Sequence, residues 1–532
     1  MTMTKKIEIF DTTLRDGAQG VGIEFSRDDK LRVIHALDNL GVTYIEAGMM
    51  TGERDAEFFR EIAKIPLKNS RLTMLLRTCK AGEAAEDNAA VRLARESDIT
   101  TVTVFGKASA AQVASVLGTT REENLRMIED TVRYLTSSGK TVIFDAEHFF
   151  DGYAADPDYA TDVILTAKRA GADCVVLCDT NGATLPWDIE SVVETIVRAF
   201  PEMKIGVHCH NDTGTAPTAT AAAVRAGAVH VQGTISGVGE RCGNADLTTL
   251  IPLLQLRMDC DCVGDRLSLL TRTAREVMDA ANLNFDERAP FVGGYAFAHK
   301  AGTHIDAVVK SAENFEHIKP ELVGNRRHLR LSSLAGRAAV ITKLEKYNPG
   351  VHFDKDDPRV IAAAELLQAR EDAGYSYDDA SASLELMIDE ALGQRSKFFD
   401  LLELRVIVNE TPNGEAISDA FTASAIIKIA VDGCVELTAG EGNGPVNAID
   451  EALRRALCRF YPEIAKIRLT DYRVRVLDSR ATASAVRVSI ESSDNEFVWR
   501  TVGVSSDVIN ASWQALRDSV EFKLKRDGYS RG

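Results

Sequence analysis

The sequence lacks the long apolar segments that a membrane protein or a secreted precursor carries. No uninterrupted apolar stretch reaches the length that crosses a bilayer, and the first residues, MTMTKKIEIFD, contain no apolar core of signal-peptide length. A surplus of positive charge is also missing, because 62 Lys and Arg residues stand against 79 Asp and Glu residues, a formal net charge of -17. This balance argues against a nucleic-acid surface and against adsorption to an anionic membrane, and we expect a cytoplasmic protein.

Cysteine is scattered rather than clustered. The nine cysteines are odd in number and form no CxxC pair, which argues against a disulfide framework and against a four-cysteine zinc module. Cys174 and Cys178 fall on one face of a predicted strand, where we expect buried thiols. A chain of 532 residues is too long for one hydrophobic core, so two or three domains are expected.

Strand and helix patterns alternate through the first half of the chain. In the helical segment 26–41, Ser26 and Asp29 form a predicted capping box and Gly41 ends the helix. Such alternation implies parallel βαβ units, and eight units in about 250 residues have the size of a closed (β/α)8 TIM barrel. The predicted strands cover residues 6–11, 43–47, 71–76, 100–105, 140–145, 173–178, 204–209 and 230–235.

Polar residues follow these strands at their carboxyl ends, which is where barrel enzymes build their active sites. This distribution favours a barrel over an open doubly wound sheet. The residues are Asp11 to Asp16, Glu46, Arg77, Glu147, Asp179 to Asn181, His208 and His210, followed by a glycine-rich loop after the last strand.

The second half has a different organisation. We expect residues 1–275 to form the α/β barrel, residues 276–400 a small helical linker subdomain covering the active site, and residues 401–532 a C-terminal α+β domain for regulation and dimerisation. The linker is loop-rich over 290–350, and helices are predicted over 358–370 and 376–393, the second with Ser376 as N-cap.

The C-terminal segment is predicted to contain an internal repeat. Alternating strand patterns are followed twice by a glycine-bearing turn and a helix, over 442–457 and 503–524. This segment carries no His/Asp/Glu cluster, which favours binding over chemistry.

The run IGVHCHNDTG places two histidines at the end of a predicted strand. Residues two apart on a strand point the same way, so His208 and His210 are expected to face the barrel interior while Cys209 faces the helices. Such a pair can bind a metal ion or hydrogen-bond a ligand. Asp16, in the loop after the first strand, is close enough in a closed barrel to supply a third metal ligand, although an isolated Arg15–Asp16 pair on the surface is the plainer alternative. Two histidines and a carboxylate suit a divalent ion such as Mg2+, Mn2+ or Zn2+.

Several motifs resemble one enzyme family. DTTLRDGAQ (11–19), HCHND (208–212) and GVGERCGNADL (237–247) resemble the acyl-CoA-dependent 2-isopropylmalate, homocitrate and citramalate synthases. AEHFFDGY (146–153), LCDTNGATLP (177–186), AFAHKAGTH (296–304) and TVGVSSDVINASWQAL (501–516) extend the similarity to the long citramalate synthases.

The resemblance implies an acyltransferase that converts the acyl group into an alkyl group on transfer. Citramalate synthases join acetyl-CoA to pyruvate, hydrolyse the thioester and yield (R)-citramalate for isoleucine biosynthesis. The resemblance also implies a metal-dependent homodimer. Its C-terminal domain is expected to bind the end product of the pathway, with isoleucine as the expected effector. Phe105, at the end of the fourth strand, is a candidate to narrow the pocket toward a small 2-oxo acid.

The resemblance also implies roles for individual residues. Arg15 stabilises the developing alkoxide, Thr180 holds the substrate carboxylate, and Glu147 orients or exchanges protons near the acetyl group. His304 is the candidate base or water activator, with His299 as its rival, and reaches the site of its own or a neighbouring subunit. The implied metal ligands are Asp16, His208 and His210, with Asn244 as a further ligand or supporting group.

Two positions depart from the family pattern. Phe315 stands where a tyrosine is usual, and GMMTGERD (48–55) replaces the commoner stretch after the second strand. Three alternatives remain open: a sibling synthase using 2-oxoisovalerate or 2-oxoglutarate, a barrel lyase that cleaves a hydroxyacyl-CoA, and a non-catalytic amino-acid sensor.

Overall fold

The computed structural model divides into two compact units, residues 1–297 with 318–327 and residues 298–317 with 328–532. It describes residues 5–299, 307–308, 310–329, 336–408, 423–477, 484–494 and 496–529. No helix in these ranges is long and apolar enough to cross a membrane.

The first unit is a closed barrel of eight parallel strands, as predicted. Each strand pairs with the next along the chain, and pairing of the first with the eighth, Glu8 opposite His230, closes the barrel. The strands are β1 Glu8–Asp11, β2 Tyr44–Met49, β3 Arg71–Arg77, β4 Thr101–Lys107, β5 Thr141–Glu147, β6 Cys174–Asp179, β7 Lys204–Cys209 and β8 His230–Gly233.

Helices surround the barrel and connect its strands. They are α1 Arg27–Leu40, α2 Glu53–Ile62, α3 Ala89–Glu96, α4 Arg121–Thr136, α5 Phe149–Ala155, α6 Pro157–Arg169, α7 Pro186–Ala199, α8 Ala216–Ala226, α9 Leu247–Arg257 and α10 Leu270–Ala280. The predicted start of α1 is confirmed, because Ser26 Oγ accepts from the Asp29 amide and Asp29 Oδ2 accepts from the Ser26 amide. Gly41 ends the helix with φ 88°, a conformation that favours glycine.

Two apolar layers hold the barrel together. The larger lies between the strands and the helices and contains Cys209. A separate cluster of Phe10, Tyr44, Ile143, Cys174, Val176 and Cys178 comes from alternate strand positions and fills the interior. Cys174 and Cys178 are therefore buried, as expected.

Among the described residues of the second unit, three helices precede the C-terminal strands: α11 Gly336–Tyr347, α12 Pro358–Asp372 and α13 Ser381–Ala391. The prediction that Ser376 caps a helix is wrong, because α13 begins at Ser381 after Ala380, which has non-helical backbone angles. The residues 375–380 before it are not helical, and Tyr377 is buried in the same apolar cluster as Leu384. The stretch 290–350, predicted to be loop-rich, contains α11, whose Val340 and Leu344 lie one turn apart in the same apolar cluster.

The predicted internal repeat is confirmed. Each half is a three-stranded antiparallel sheet followed by a helix that packs on it. The first half comprises β9 Asp400–Val408, β10 Ala423–Val431, β11 Cys434–Gly442 and α14 Pro445–Leu457, and the second comprises β12 Arg468–Val476, β13 Val486–Ser493, β14 Val498–Ser505 and α15 Val508–Arg526.

Candidate active site

Barrel closure brings a carboxylate and two imidazoles together at the carboxyl ends of the strands. Nε2 of His208 lies 3.7 Å and Nε2 of His210 lies 3.8 Å from Oδ2 of Asp16. The three donor atoms all lie within 4.8 Å of one another, and all three residues are buried. Cys209, between the histidines, belongs to the strand–helix layer, so the alternation expected for this strand holds.

The protonation states fit a divalent cation. Burial, with a contribution from neighbouring His210, lowers the pKa of His208 to about 4, so that its imidazole is neutral near pH 7. Burial by itself disfavours the Asp16 carboxylate, but Arg15 and the two histidines outweigh it and hold the pKa of Asp16 well below its usual range. An ionised carboxylate beside a neutral imidazole is a metal-binding donor set.

Gln232, at the end of β8, sets the orientation of His208. Its Oε1 lies 2.9 Å from His208 Nδ1, and its Nε2 donates to Asp145 Oδ1 at 3.0 Å. Because an amide oxygen can only accept, Nδ1 carries the imidazole hydrogen and Nε2 presents its lone pair toward Asp16. Histidine ligands of metals are commonly fixed by such a hydrogen bond.

Asn244 lies against the same carboxylate. Its Nδ2 donates to Asp16 Oδ1 at 3.0 Å and to the Val238 carbonyl at 3.2 Å. Its buried Oδ1 has no hydrogen-bond partner among the described residues, which fits an acceptor kept for a bound group. Gly239 makes this contact possible, because a Cβ there would lie 2.2 Å from Asn244 Nδ2.

Arg15 is held rigidly beside the carboxylate. Its Nη1 donates to Asp16 Oδ2 at 2.7 Å and its Nε to Glu46 Oε2 at 2.5 Å, and Thr12 Oγ1 also donates to Glu46 Oε2 at 2.6 Å. Burial opposes the guanidinium charge, but Glu46 and Asp16 raise the pKa of Arg15 above its usual range. Arg15 is therefore a permanent cation with little conformational freedom.

A cavity of about 350 Å³ connects these groups. Met49, Leu75 and Phe105 are its large apolar lining residues, and most of the other lining side chains are charged or polar. The predicted residues that line it are Arg15, Asp16, Arg77, Phe105, Glu147, Thr180, His208 and His210, and Gln19, Met49, Leu75, Asp145, Cys178 and Glu240 complete it.

Glu147 and Thr180 lie at neighbouring strand ends. Glu147 Oε2 is 2.7 Å from Nζ of Lys107, the residue opposite it in the register of β4 and β5. Thr180 Oγ1 accepts a hydrogen bond from the His148 amide at 2.8 Å, so its hydroxyl hydrogen is available to a ligand.

His304, the predicted base, lies outside the described residues. Its rival His299 has Nε2 3.2 Å from Glu316 Oε1 within the second unit. Phe315, at the position where a tyrosine was expected, is 45% exposed.

Sequence reasoning missed three supporting residues: Gln232, Asp145 and Lys107. Each is a charged or amide side chain within a barrel strand, and this signal was available from the pattern. Burial raises the pKa of Asp145 to about 8, with Glu46 adding to the effect, so this carboxyl is largely protonated at neutral pH.

These features define a (β/α)8 barrel protein with a candidate metal site at the carboxyl ends of its strands. Residues 6–275 match the HMGL-like family, residues 291–366 the homocitrate synthase post-HMGL domain-like family, and residues 380–524 the LeuA allosteric (dimerisation) domain. The chain therefore belongs to the HMGL-like family and, within it, to the 2-isopropylmalate, homocitrate and citramalate synthases, which confirms the predicted resemblance.

Individual relatives match from end to end. The (R)-citramalate synthase of Aquifex aeolicus (strain VF5) is 43% identical over 99% of each chain. The (R)-citramalate synthase of Geobacter sulfurreducens is 42% identical over 98% of each chain. A probable 2-isopropylmalate synthase of Methanopyrus kandleri is 33% identical over 98% of this chain and 99% of its own. The sequence identity to the two citramalate synthases is thus greater than the identity to the 2-isopropylmalate synthase relative.

Proposed function

We propose that the protein is an (R)-citramalate synthase that condenses acetyl-CoA with pyruvate. The observation that carries this proposal is the sequence identity of 42–43% to proteins of that name over nearly the whole chain. The identity to the 2-isopropylmalate synthase relative is lower, at 33%. The donor set of Asp16, His208 and His210 supports metal dependence. A divalent ion, when bound there, would polarise the keto group of the 2-oxo acid.

The reaction forms one carbon–carbon bond and breaks one thioester bond. A base removes a proton from the methyl group of acetyl-CoA, and this carbon attacks the keto carbon of pyruvate. The keto oxygen takes the electron pair and then a proton. Water next attacks the thioester carbonyl, the carbon–sulfur bond breaks, and CoA leaves as a thiol while citramalate is released.

Arg15 is proposed to stabilise the negative charge that develops on the keto oxygen. Its ion pairs to Asp16 and Glu46 hold the guanidinium in place at the wall of the cavity. A fixed cation needs no reorganisation as charge develops, and this is the usual basis of such stabilisation. Leu75 and Phe105 line the same cavity, and Phe105 is proposed to narrow it toward a small 2-oxo acid.

The proposed roles of Thr180, Glu147 and Asn244 follow from their positions in the candidate active site. Thr180 is proposed to donate its hydroxyl to the substrate carboxylate, and Glu147, paired with Lys107, to orient the acetyl group or exchange protons near it. His304 remains the proposed base or water activator. Asn244 is proposed to support Asp16, or to bind the ion through its unpartnered Oδ1.

The C-terminal repeat is proposed to regulate the enzyme. Its match to the LeuA allosteric (dimerisation) domain supports a homodimer, and we propose isoleucine as the feedback effector in isoleucine biosynthesis. The proposed organisation is a catalytic barrel over 1–275, a linker over 276–400 and a regulatory domain over 401–532.

One experiment tests these proposals together. The purified full-length protein is stripped with a chelator, supplied with Mg2+, Mn2+ or Zn2+, and assayed for CoA thiol released from acetyl-CoA with pyruvate, 2-oxobutyrate, 2-oxoisovalerate or 2-oxoglutarate. Metal-dependent release that is fastest with pyruvate and reduced by isoleucine is expected. Preference for a longer acid would assign a sibling synthase, and absence of release with every acid would contradict synthase activity.

A further inference from the structure

The second repeat carries a charged pocket on the sheet face away from its helix. Val488 and Ile490 are buried on the helix side of β13, so Arg487, Ser489 and Glu491 occupy the opposite face. A cavity of about 230 Å³ lies on this face. It is lined by Arg473, Arg475, Arg487 and Arg500, by Asp379, Asp471 and Glu491, and by Ser376, Ala380, Ser489 and Val502.

Two of the four arginines are neutralised by carboxylates. Arg473 lies 2.6 Å from Asp471, and Arg500 lies 2.7 Å from Glu491. Among the described residues, no carboxylate forms an ion pair with the other two, Arg475 and Arg487. The lining therefore carries four guanidinium groups and three carboxylates, and Asp378 attracts Arg487 without forming an ion pair with it.

The two arginines without an ion pair are direct neighbours. Arg475 on β12 and Arg487 on β13 are paired in the antiparallel register, which places both side chains on the same face. Like charges directly opposite each other destabilise a sheet. Burial and the charge of Arg475 both lower the pKa of Arg487, whose Nε donates to the Gly374 carbonyl at 2.7 Å and is thereby fixed in place.

The first repeat provides an internal comparison. Both repeats have a register shift at the same place in the first strand, so their residues correspond one to one. The Asp471–Arg473 ion pair has its counterpart in Glu403–Arg405. The opposed arginines of the second repeat have no arginine counterparts in the first repeat.

Ile407 and Ser424 occupy the positions that correspond to Arg475 and Arg487. The sheet of the first repeat therefore forms without a charged pair at this place, so this sheet architecture does not require the two arginines.

We propose that Arg475 and Arg487 form a binding site for a small dianion, with the hydroxyls of Ser376 and Ser489 as additional donors. Paired guanidinium groups bind the oxygens of phosphate or carboxylate groups in bidentate geometry. A dianion between them would offset the repulsion, and a cavity of about 230 Å³ has room for a phosphate or a short dicarboxylate. The site is distinct from the barrel cavity and does not depend on the proposed catalytic activity.

The test is isothermal titration calorimetry of the full-length protein with sodium phosphate and, separately, with citramalate, in chloride buffer of matched ionic strength. The principal variant is Arg475→Ile with Arg487→Ser, which copies the residues of the first repeat. The control is Arg405→Ile with Arg459→Ser, which removes two exposed arginines outside the pocket and changes the net charge equally. Arg475→Gln alone is the second variant, since Arg475 is exposed and the change preserves its polarity.

Saturable phosphate binding is expected in the wild type and in the control, with the dissociation constant raised about tenfold for each guanidinium removed. If citramalate binds and phosphate does not, the ligand group is a dicarboxylate. In that case the wild type takes up one more citramalate per chain than the double variant, which separates this site from the barrel. Absence of binding to the wild type, or equal binding to the wild type and both pocket variants, would overturn the proposal.

Discussion

Replacing Gln232 with leucine should weaken metal binding without emptying the site of ligands. The amide of Gln232 accepts from His208 Nδ1 at 2.9 Å and donates to Asp145 at 3.0 Å. Leucine has nearly the same volume but can make neither bond. His208 Nδ1 is then left without a partner, and the proton is free to move to Nε2, the nitrogen that faces Asp16.

The expected loss follows from the nature of this contact. Removal of a hydrogen bond that orients a histidine ligand commonly lowers metal affinity by about 10- to 100-fold, or about 1.4 to 2.7 kcal/mol. Asp145→Asn is the matched control, because an asparagine oxygen still accepts from Gln232 and preserves the orientation of its amide. We expect little change in metal affinity for this control.

The assay is a competition titration of Mn2+ and Zn2+ against a chromophoric chelator. The wild type, Gln232→Leu, Asp145→Asn and His208→Ala are compared, with circular dichroism as a check on folding. Wild-type affinity in Gln232→Leu, together with loss of affinity in His208→Ala, would refute the argument that Gln232 positions His208.

Three further predictions concern the same site. Asp16→Ala and His208→Ala should each abolish turnover and lower metal content, and normal metal content in both would exclude the proposed ligand set. His304→Ala should reduce kcat far more than it raises the KM for pyruvate, whereas unchanged turnover would move the base to another residue. In metal-free protein, His208 has a pKa of about 4 against an ordinary value of 6.5, so between these pH values the unfolded chain binds a proton that the folded chain does not. The free energy of unfolding therefore falls as the pH drops, and this group contributes about 2 kcal/mol of that fall between pH 7 and pH 5. Urea unfolding of His208→Gln should show a pH dependence smaller by this amount. A pH dependence equal to that of the wild type would contradict the prediction.

Local patterns predicted most of the fold. The eight alternations of strand and helix, the capping box at Ser26 and the repeated C-terminal strands are encoded in residues close together in the chain. Helix and strand periodicities depend on neighbours a few positions away, so a single sequence carries them. The misplaced Ser376 cap and the missed helix α11 lie where distant contacts decide, through burial of Tyr377 and of Leu344.

The candidate site divides in the same way. The sequence by itself determined which side chains stand at the carboxyl ends of the strands and that His208 and His210 point in one direction, because strand alternation is a local property. The expectation that Asp16 meets them depended on a closed barrel, and the tertiary structure supplies that closure. Only the tertiary structure decided that Gln232 orients His208 and that Arg475 opposes Arg487. Barrel closure and strand register pair residues far apart in the chain, and no local periodicity specifies which residues those are.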